Sequence, residues 1–350
     1  MNSEETILVT GFPGFIAGRL VERLAGDGAR LILLVQPELH GRAEQELATF
    51  QSSNQQRIKM VEGDITQDNL GLSPSDSEFV RGETITVFHL AALYDLAVPR
   101  DLAMVVNVDG THNVNRLVMN LPKLRRYHYV STCYVAGKRR GVIAENELRH
   151  DAGFRNFYEE SKYLAELEVE KLKSELPITI HRPAVVCGDS QTGETAKFDG
   201  IYYLINYLLR MPRAVARFNI GNRDVSLNLV PIDFVVEAMV FLARNEETIG
   251  KTLQIADPSP LTTYELFDAI AETITGHKSS LTFPAPIVHL FLASPLSPPI
   301  THLPHSAVPY FFLKQTYDSS LSSQLLAEAG IKCPPFISYV DKIVEYARSG

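Results

Sequence analysis

The sequence predicts an α/β protein in which a doubly wound parallel sheet carries a smaller C-terminal lobe. Two observations support this fold class. Residues 7–24, ILVTGFPGFIAGRLVERL, combine a short apolar strand, a glycine turn and a helix rich in Leu and Arg. Short apolar strands then alternate with helix-like segments through the first half of the chain, which is typical of βαβ units. A chain of 350 residues has room for one large α/β domain and a second lobe.

The alternation continues in order along the chain. After the strand at 7–11, further strands are predicted at 31–35, 58–64, 86–92, 126–132 and 178–186. Helices are predicted between them at 17–25, 42–50, 105–119 and 158–174. Because helices separate most consecutive strands, each helix returns the chain to the end of the sheet where the previous strand began. The sheet is therefore predicted to be parallel.

The turn after the first strand has the spacing G-x-x-G-x-x-A-G, with Gly11, Gly14, Ala17 and Gly18 in the small positions. One glycine of such a turn permits a tight bend, and another lets the backbone approach phosphates. The following helix N-terminus offers unpaired N–H groups and a partial positive charge. The turn therefore predicts a site for a dinucleotide pyrophosphate.

The alternation of strands and helices becomes irregular after Gly188. It recurs at 228–244, NLVPIDFVVEAMVFLAR, as a strand followed by a helix. We therefore expect a nucleotide-binding Rossmann domain at 1–190 plus 225–256. A substrate-binding lobe is expected at 191–224 plus 257–350. The apolar, proline-rich stretch at 283–310 excludes long helices and indicates an irregular lid or pocket wall.

Composition excludes several functional classes. The net charge of −8 gives no general attraction to nucleic acid or to anionic membranes. Cys133, Cys187 and Cys333 are scattered without C-x-x-C spacing, and the ten histidines show no H-E-x-x-H motif, so we expect no metal. The N-terminus, MNSEETILVTG, lacks the features of a signal peptide, and the longest apolar run, 286–296, is about half of the roughly 20 residues that a membrane span needs. A cytoplasmic location is expected.

Tyr158 and Lys162 begin the predicted helix after the fifth strand, in the sequence YEESK. Residues four apart share one helix face, so an ammonium can lie near the phenol. A neighbouring cation favours phenolate and lowers the tyrosine pKa toward the range in which proton transfer is efficient. The same spacing recurs at Tyr310 and Lys314, where we interpret it as coincidence.

Ser131 and Thr132 end the strand YHYVST, where an open α/β sheet presents side chains to its ligand crevice. A hydroxyl at that edge can stabilise the negative charge that grows on a carbonyl oxygen during hydride addition. Asn107, in VNVDGTHNV, begins or lies within the preceding helix, where a helix-capping role is the alternative.

Two further features fit a nucleotide. Asp64 follows the third strand and can accept a hydrogen bond from an adenine amino group, or serve only as a turn residue. The loop HLAA supplies Ala91 and Ala92 where the backbone must approach a cofactor, whereas we expect His89 to be a packed side chain.

The end of the second strand bears on the choice of cofactor. NAD sites usually place an acid there, and here the strand ends at Gln36. Arg19, His40 and Arg42 can accommodate a 2′-phosphate, so NADP is expected. Glu38 lies close enough along the chain to leave NAD open.

With these residues in order, the sequence resembles an extended short-chain dehydrogenase/reductase. The motifs that carry the resemblance are TGFPGFIAG, GDI, HLAA, NVDGT, VST, YEESK and the strand-ending Arg182-Pro183, over about the first 250 residues. The resemblance implies that Tyr158 is the general acid/base and that Lys162 holds the nicotinamide ribose and lowers the tyrosine pKa. It implies that Thr132 orients the carbonyl and that Asn107 supports the lysine through water. Cofactor contacts are expected from Gly11, Phe12, Gly14, Phe15, Ile16, Gln36, Arg42, Asp64, Ile65, Ala91, Ala92, Asn107, Tyr158, Lys162, Pro183 and Val185.

Within that superfamily, GDITQDNLGLS at 63–73 and RPAVVCGDSQTGE at 182–194 resemble the thioester-reductase and fatty acyl-CoA reductase branch. The resemblance implies reduction of an acyl thioester, carried by CoA or by a separate carrier protein because no adenylation or carrier module is recognised. Gln36 departs from this branch, which often has Arg at that position. The aliphatic and aromatic residues of 201–207 and 283–312 favour an apolar substrate. Family analogy suggests a homodimer.

Two alternatives remain open. A nucleotide-sugar epimerase uses the same scaffold. A 4,6-dehydratase is disfavoured because Cys133-Tyr134 follows Thr132 where those enzymes have Asp-Glu. A non-catalytic NADP-sensing regulator is disfavoured because the Tyr158 and Lys162 pair is present.

Overall fold

The computed structural model describes residues 5–301 and 303–349, so Met1–Glu4, His302 and Gly350 lie outside the described residues. The chain divides into two compact units. The first comprises Met1–Gly137, Asn156–Arg182 and Val236–Leu253, and the second comprises Lys138–Arg155, Pro183–Val235 and Gln254–Gly350. These limits place 138–155, 183–190, 225–235 and 254–256 in the second unit, whereas the sequence prediction had placed them in the first domain. The assignment of cofactor to one part and substrate to the other stays a prediction.

The strands of the described residues are short. They are β1 Thr6–Thr10, β2 Arg30–Val35, β3 Ile58–Glu62, β4 Thr86–His89, β5 Arg126–Val130, β6 Gly141–Ile143, β7 Ile178–Pro183, β8 Val185–Cys187, β9 Phe218–Asn219, β10 Leu229–Pro231, β11 Thr252–Ile255, β12 Leu281–Thr282 and β13 Gln315–Tyr317.

The α-helices fall mainly between these strands. They are α1 Phe15–Gly26, α2 His40–Leu47, α3 Ser52–Gln55, α4 Pro74–Glu83, α5 Arg100–Ala103, α6 Gly110–Val118, α7 Phe157–Lys171, α8 Ile201–Arg210, α9 Ile232–Arg244, α10 Thr263–Thr275, α11 Ala285–Leu292, α12 Ser297–Thr301, α13 Ser320–Glu328 and α14 Val340–Ser349. None of the described helices has the length and apolar character needed to cross a bilayer.

The described strands form a seven-stranded sheet in the order β11-β7-β5-β4-β1-β2-β3. From β3 across to β7, each neighbouring pair is parallel. The chain builds outward from β1 through β2 to β3, then returns to the other side of β1 with β4. This reversal between β1 and β4 is the topological switch point at which open α/β sheets bind ligands. The doubly wound parallel fold predicted from the sequence is confirmed.

The core of the first unit explains why the strands read as continuous apolar runs. Leu8, Ile32 and Val87 of the central strands pack in one buried cluster with Val114 of α6 and Ala165 of α7. A parallel strand covered by helices is buried on both faces, which disfavours polar side chains, so the apolar runs follow from burial.

Helices of the second unit pack around a separate core. Tyr202 of α8, Phe267 of α10 and Ile343 of α14 lie in one buried cluster. Short parallel pairs, β8 with β10, β9 with β12, and β6 with β13, brace this unit.

Two predicted elements differ in detail. The strand predicted at 178–186 is interrupted at Ala184 and forms β7 and β8. The helix predicted at 105–119 starts earlier, because α5 runs into a π-helical segment, Met104–Asp109, before α6 begins. Asn107 lies inside that segment and does not cap a helix.

Candidate active site

The glycine turn after β1 requires its glycines. Gly11 has a φ of +95°, and a Cβ built there would lie 2.7 Å from the backbone nitrogen of Ala91. A Cβ on Gly14 would lie 2.7 Å from the Gly11 carbonyl oxygen, to which the Gly14 N–H already donates at 2.8 Å. The turn and the loop after β4 thus approach each other closely at the switch point, and only glycine fits there.

The start of α1 suits an anion. Its N-cap is Gly14, which offers no side-chain cap, and the first turn contains no acidic residue. The N–H groups near Phe15 and Ile16 therefore have no side-chain acceptor at the helix end, and the helix dipole adds partial positive charge there. These features fit a dinucleotide pyrophosphate. Phe12, between the two glycines, is buried.

The loop after β3 holds Asp64 and Ile65. One Asp64 carboxylate oxygen accepts from the Thr66 N–H at 2.8 Å, which orients the side chain as a turn. Ile65 is buried, and its carbonyl accepts from the Asn113 side chain at 2.9 Å. The arrangement leaves the second oxygen of Asp64 for another donor.

Charged side chains collect at the end of β2. Gln36 precedes a 3-10 helix at Pro37–Leu39, and Arg42 lies exposed on α2. Burial raises the pKa of Glu46, and the guanidinium groups of Arg42 and Arg19 oppose that effect. Glu46 thus has two arginines near it, from α2 and from α1.

Tyr158 lies in the first turn of α7 and is buried, with 7% of its surface exposed. The Asn156 side chain caps this helix by accepting from the Glu159 N–H at 3.0 Å. The Tyr94 ring meets the Tyr158 ring edge-on, with centroids 5.0 Å apart. The cap and the ring contact fix the phenol at the start of the helix.

Burial raises the pKa of Tyr158, and a hydrogen bond with the Thr132 side chain opposes that rise. The sequence predicted the reverse, a pKa lowered by Lys162. The prediction considered only charge, whereas the loss of water around a buried phenol disfavours phenolate more strongly. The phenol of this structure is therefore a proton donor at neutral pH.

Lys162 is also buried, with 3% of its surface exposed. Its ammonium donates to the Tyr129 hydroxyl and to the Val130 carbonyl, each at 2.9 Å. Burial lowers the pKa of Lys162 to about 7, and the Glu166 carboxylate opposes that shift. Two of its three N–H groups are used by β5, which leaves one for a ligand.

Asn107 connects the loop after β4 to α7. Its amide exchanges hydrogen bonds with the backbone of Leu93, at 2.7 Å and 3.2 Å, and donates to the Ser161 hydroxyl at 2.9 Å. Ser161 in turn donates to the Tyr158 carbonyl at 3.1 Å. Asn107 therefore holds the helix turn that carries Tyr158 and Lys162. The role in supporting the lysine through water stays a prediction.

The two hydroxyls at the end of β5 are used differently. Ser131 donates to the Glu166 carboxylate, which also accepts from the Arg182 Nε at 2.9 Å. Thr132 accepts from the Tyr134 N–H at 3.2 Å and has a hydrogen bond with Tyr158. Thr132 is thus the hydroxyl that lies beside the phenol.

Sequence reasoning missed three groups around Lys162. Tyr129 accepts a hydrogen bond from its ammonium, Thr111 lies beside Tyr129, and Glu166 forms a buried ion pair with Arg182. Glu166 follows Tyr158 and Lys162 at four-residue intervals, so the helical spacing carried a signal for it. No comparable local signal pointed to Thr111, because its partners lie on other elements.

The remaining expected contacts fall in both compact units. Ala91 is half-buried against the Gly11 turn, and Ala92 is exposed. Pro183 ends β7 and Val185 begins β8, and both belong to the second compact unit. Their contact with a cofactor stays a prediction. In the second Tyr-x-x-x-Lys sequence, at Tyr310 and Lys314, the lysine is engaged elsewhere, because it donates to Asp224 at 2.9 Å.

Comparison with known proteins agrees with this geometry. Residues 9–239, more than half of the chain, match the NAD-binding family model described as "Male sterility protein". The solved terminal R domain of the myxalamid PKS-NRPS biosynthetic pathway is 26% identical with a TM-score of 0.83. The match covers 97% of this chain and 90% of that domain.

Two curated relatives extend the comparison. Glycine betaine reductase ATRR of Emericella nidulans is 24% identical over 288 aligned residues, covering 77% of this chain and 22% of that protein. Fatty acyl-CoA reductase 1 of Arabidopsis thaliana is 23% identical, covering 68% of this chain and 63% of that protein. This chain spans less than two thirds of the length of either relative. The resemblance to the thioester-reductase and fatty acyl-CoA reductase branch is confirmed.

Proposed function

The chain belongs to the male sterility protein family, and from that premise we propose that it is an NAD(P)-dependent reductase of acyl thioesters with an apolar chain. The observation that carries the proposal is the buried Tyr158 phenol with the buried Thr132 hydroxyl beside it, in the same compact unit as the glycine turn. A phenol and an alcohol at the carboxyl end of the sheet suit a carbonyl oxygen that becomes negatively charged.

The proposed reaction adds a hydride and a proton across the carbonyl group of the thioester. A reduced nicotinamide, when bound, supplies the hydride that adds to the carbonyl carbon. Thr132 donates a hydrogen bond to the carbonyl oxygen, and Tyr158 transfers its proton to that oxygen. The resulting hemithioacetal releases the thiol and leaves an aldehyde. Because burial keeps Tyr158 protonated, the phenol is in the form that reduction requires.

Lys162 has a different proposed role. Its remaining N–H group suits a ribose hydroxyl, and its charge stabilises the phenolate that forms when Tyr158 gives up its proton. The hydrogen bonds to Tyr129 and Val130 hold the ammonium for both purposes.

An apolar cavity within the second unit supports a substrate with an apolar chain. It has a volume of about 50 Å³ and is lined by aromatic and aliphatic side chains that include Tyr207, Phe267, Leu292 and Phe311. A lining of this kind suits a hydrocarbon chain, because each buried methylene contributes about 0.8 kcal/mol of binding free energy.

We propose NADP as the cofactor. Arg42 of α2 and Arg19 of α1 both lie near the Glu46 carboxylate, so two helices contribute positive charge that suits a 2′-phosphate. Glu38 is exposed on the same connection and would repel a phosphate if it turned inward. The thioester carrier is proposed to be CoA or a separate carrier protein, and a cytoplasmic homodimer is the expected form.

A substrate screen tests the proposal. The purified chain would be assayed for NADPH and NADH oxidation with acyl-CoAs of increasing chain length, carrier-bound acyl thioesters, long-chain aldehydes and UDP-sugars. Turnover that rises with acyl chain length supports the proposal. Interconversion of UDP-sugars would support the epimerase instead, and tight cofactor binding without turnover would support the regulator.

A further inference from the structure

A second buried tyrosine lies beside Lys162 and has no assigned role. Tyr129 is in β5, its side chain is fully buried, and its hydroxyl accepts from the Lys162 ammonium at 2.9 Å. The ammonium also lies 4.5 Å from the centroid of the Tyr129 ring. Both the hydroxyl and the ring of Tyr129 therefore contact the lysine.

Thr111 lies beside the Tyr129 hydroxyl. Its own hydroxyl donates to the Asn107 carbonyl at 2.6 Å. Burial raises the pKa of Tyr129, and Thr111 opposes that rise. The Tyr129 oxygen accepts from Lys162.

His89 completes the same network. Its Nε2 lies 3.1 Å from the Thr111 oxygen, and its Nδ1 lies 2.7 Å from the Thr10 oxygen. Because the Thr111 proton is already committed to Asn107, the Nε2 of His89 must carry the donated hydrogen. Burial lowers the pKa of His89 to about 3, so the ring is neutral and its Nδ1 accepts from Thr10. Thr10 also accepts from the Ala91 N–H at 3.2 Å.

These contacts run from the loop after β4 through Thr10 and His89 to Thr111, which lies beside Tyr129. We propose that Tyr129 is a positioning residue that orients the Lys162 ammonium and favours its charged form. This inference rests on the function proposed above for its catalytic meaning, but the contact itself is testable without turnover.

The charged and titratable groups that face Lys162 come from several elements. Glu166 on α7 favours the charged lysine, and burial opposes it. His89 on β4 is neutral, and Tyr158 and Tyr129 are protonated because burial raises the pKa of each phenol. Apart from Glu166, the Tyr129 oxygen and the Val130 carbonyl are the acceptors that the described residues provide to the ammonium.

The chain offers a matched control for Tyr129. Tyr127 lies two residues earlier in β5, on the same face of the strand, and is equally buried. Its hydroxyl donates to the Asn115 side chain at 2.8 Å and has no contact with Lys162 in the described structure. Tyr127→Phe and Tyr129→Phe therefore remove the same atom from the same environment, and only the second removes a partner of the lysine.

The test measures the Lys162 pKa directly. Protein carrying 13C at the lysine side chains is titrated by NMR, and the Lys162 signal is assigned by its loss in Lys162→Arg. Tyr129→Phe is expected to lower the pKa of Lys162 by about 1, because a charged donor loses one acceptor. Tyr127→Phe is expected to leave it unchanged. Equal values in wild type and Tyr129→Phe would overturn the proposal, as would an equal shift in the control.

Kinetics give a second readout once a substrate is found. If the rate needs charged Lys162, activity falls as pH rises through the lysine pKa. Tyr129→Phe is expected to move that fall to lower pH and to reduce kcat about tenfold with little change in KM. An unshifted profile would overturn the catalytic meaning of the contact. If wild type turns over no substrate while the NMR shift is seen, the proposed function fails and the positioning role stands.

Discussion

At the scale of single residues, burial and neighbouring polar groups together set the protonation of Tyr158 and Lys162, and Thr132 is one of those neighbours. Burial alone would make Tyr158 a poor acid and Lys162 a weak cation. Thr132 partly offsets the first effect, and Glu166 partly offsets the second. The pKa values of Tyr158 and Lys162 therefore depend on neighbours at the end of β5 and on α7, and not on these two side chains alone.

The proposed preference for NADP also depends on single side chains. Arg42→Ala is expected to raise the KM for NADPH about tenfold, because one guanidinium facing the 2′-phosphate is lost, and to leave the KM for NADH nearly unchanged. The measurement is the steady-state rate with each cofactor.

Glu38→Gln serves as the control for that experiment, since Glu38 lies on the same connection with the opposite charge. Its NADPH KM should stay level or fall. If Arg42→Ala changed the two cofactors equally, the NADP assignment would be wrong.

The sequence indicated candidate residues more readily than their partners. Tyr158, Lys162 and Thr132 could be proposed because their motifs are local and appear in a recognisable order, and their roles stay predictions. Tyr129 and Thr111 could not, because a strand and a helix separated in sequence bring them to Lys162. The pKa of Tyr158 was wrong in direction because spacing shows a nearby charge but does not show burial.

At the scale of elements, α7 and β7 are joined through a buried ion pair. The side chains of Glu166 and Arg182 are 0% and 2% exposed, and they approach to 2.5 Å. Ser131 adds a third hydrogen bond to the same carboxylate. Through Ser131, the Glu166 carboxylate therefore also connects α7, which carries Tyr158, to the end of β5, which is followed by Thr132.

Glu166→Gln is expected to lower the free energy of unfolding by about 3 kcal/mol, since it leaves a buried guanidinium without its counter-charge. Urea denaturation at pH 7 measures the loss. Glu168→Gln on the same helix removes a partly exposed pair with Lys171 and should cost less than about 0.5 kcal/mol. A cost for Glu166→Gln as small as that of the control would contradict a structural role for the pair.

Element boundaries were predicted where local signals are strong. β1 and α1 follow from the apolar run and the glycine turn, and β10 with α9 follow from the return at 228–244. The π-helical segment at Met104–Asp109 was not predicted, because contacts with α7 and the loop after β4 determine it more than propensity does.

At the scale of the whole molecule, three histidines on adjacent strands of the sheet influence stability. His89, His128 and His181 lie on β4, β5 and β7 and are almost completely buried. Burial lowers the pKa of His89 and of His181 to about 3, and it lowers that of His128 as well. The folded chain therefore keeps these rings neutral where the unfolded chain would protonate them.

Stability is expected to fall in mild acid for this reason. The unfolded state binds protons on these rings near pH 6.5, whereas the folded state binds them only in much stronger acid, so the free energy of unfolding decreases as pH falls below about 6.5. A loss of about 2 kcal/mol for each buried ring is expected between pH 6.5 and 4.5, measured by urea denaturation across that range.

The contribution of one ring can be separated from general acid effects. His181→Leu should flatten the slope, whereas His277→Gln at an exposed position should leave it unchanged. A slope that is the same in all three proteins would contradict the role of the buried rings.

The organisation of the whole chain was predictable in outline. The doubly wound sheet and its switch point followed from alternating patterns, because each βαβ step is local. The limits of the second unit were not, since 138–155 joins it through β6 pairing with β13, about 170 residues away in sequence. Pairings of that range leave no periodic signal.

The central claim is that Tyr158 delivers a proton to a carbonyl oxygen during NADPH-dependent reduction of an acyl thioester. The most direct measurement compares wild type, Tyr158→Phe and Tyr127→Phe for single-turnover reduction and for NADPH affinity by fluorescence titration. Tyr158→Phe should reduce the rate by about 10²-fold or more while the NADPH Kd stays within about threefold, and Tyr127→Phe should change neither greatly. A wild-type rate in Tyr158→Phe would contradict the account.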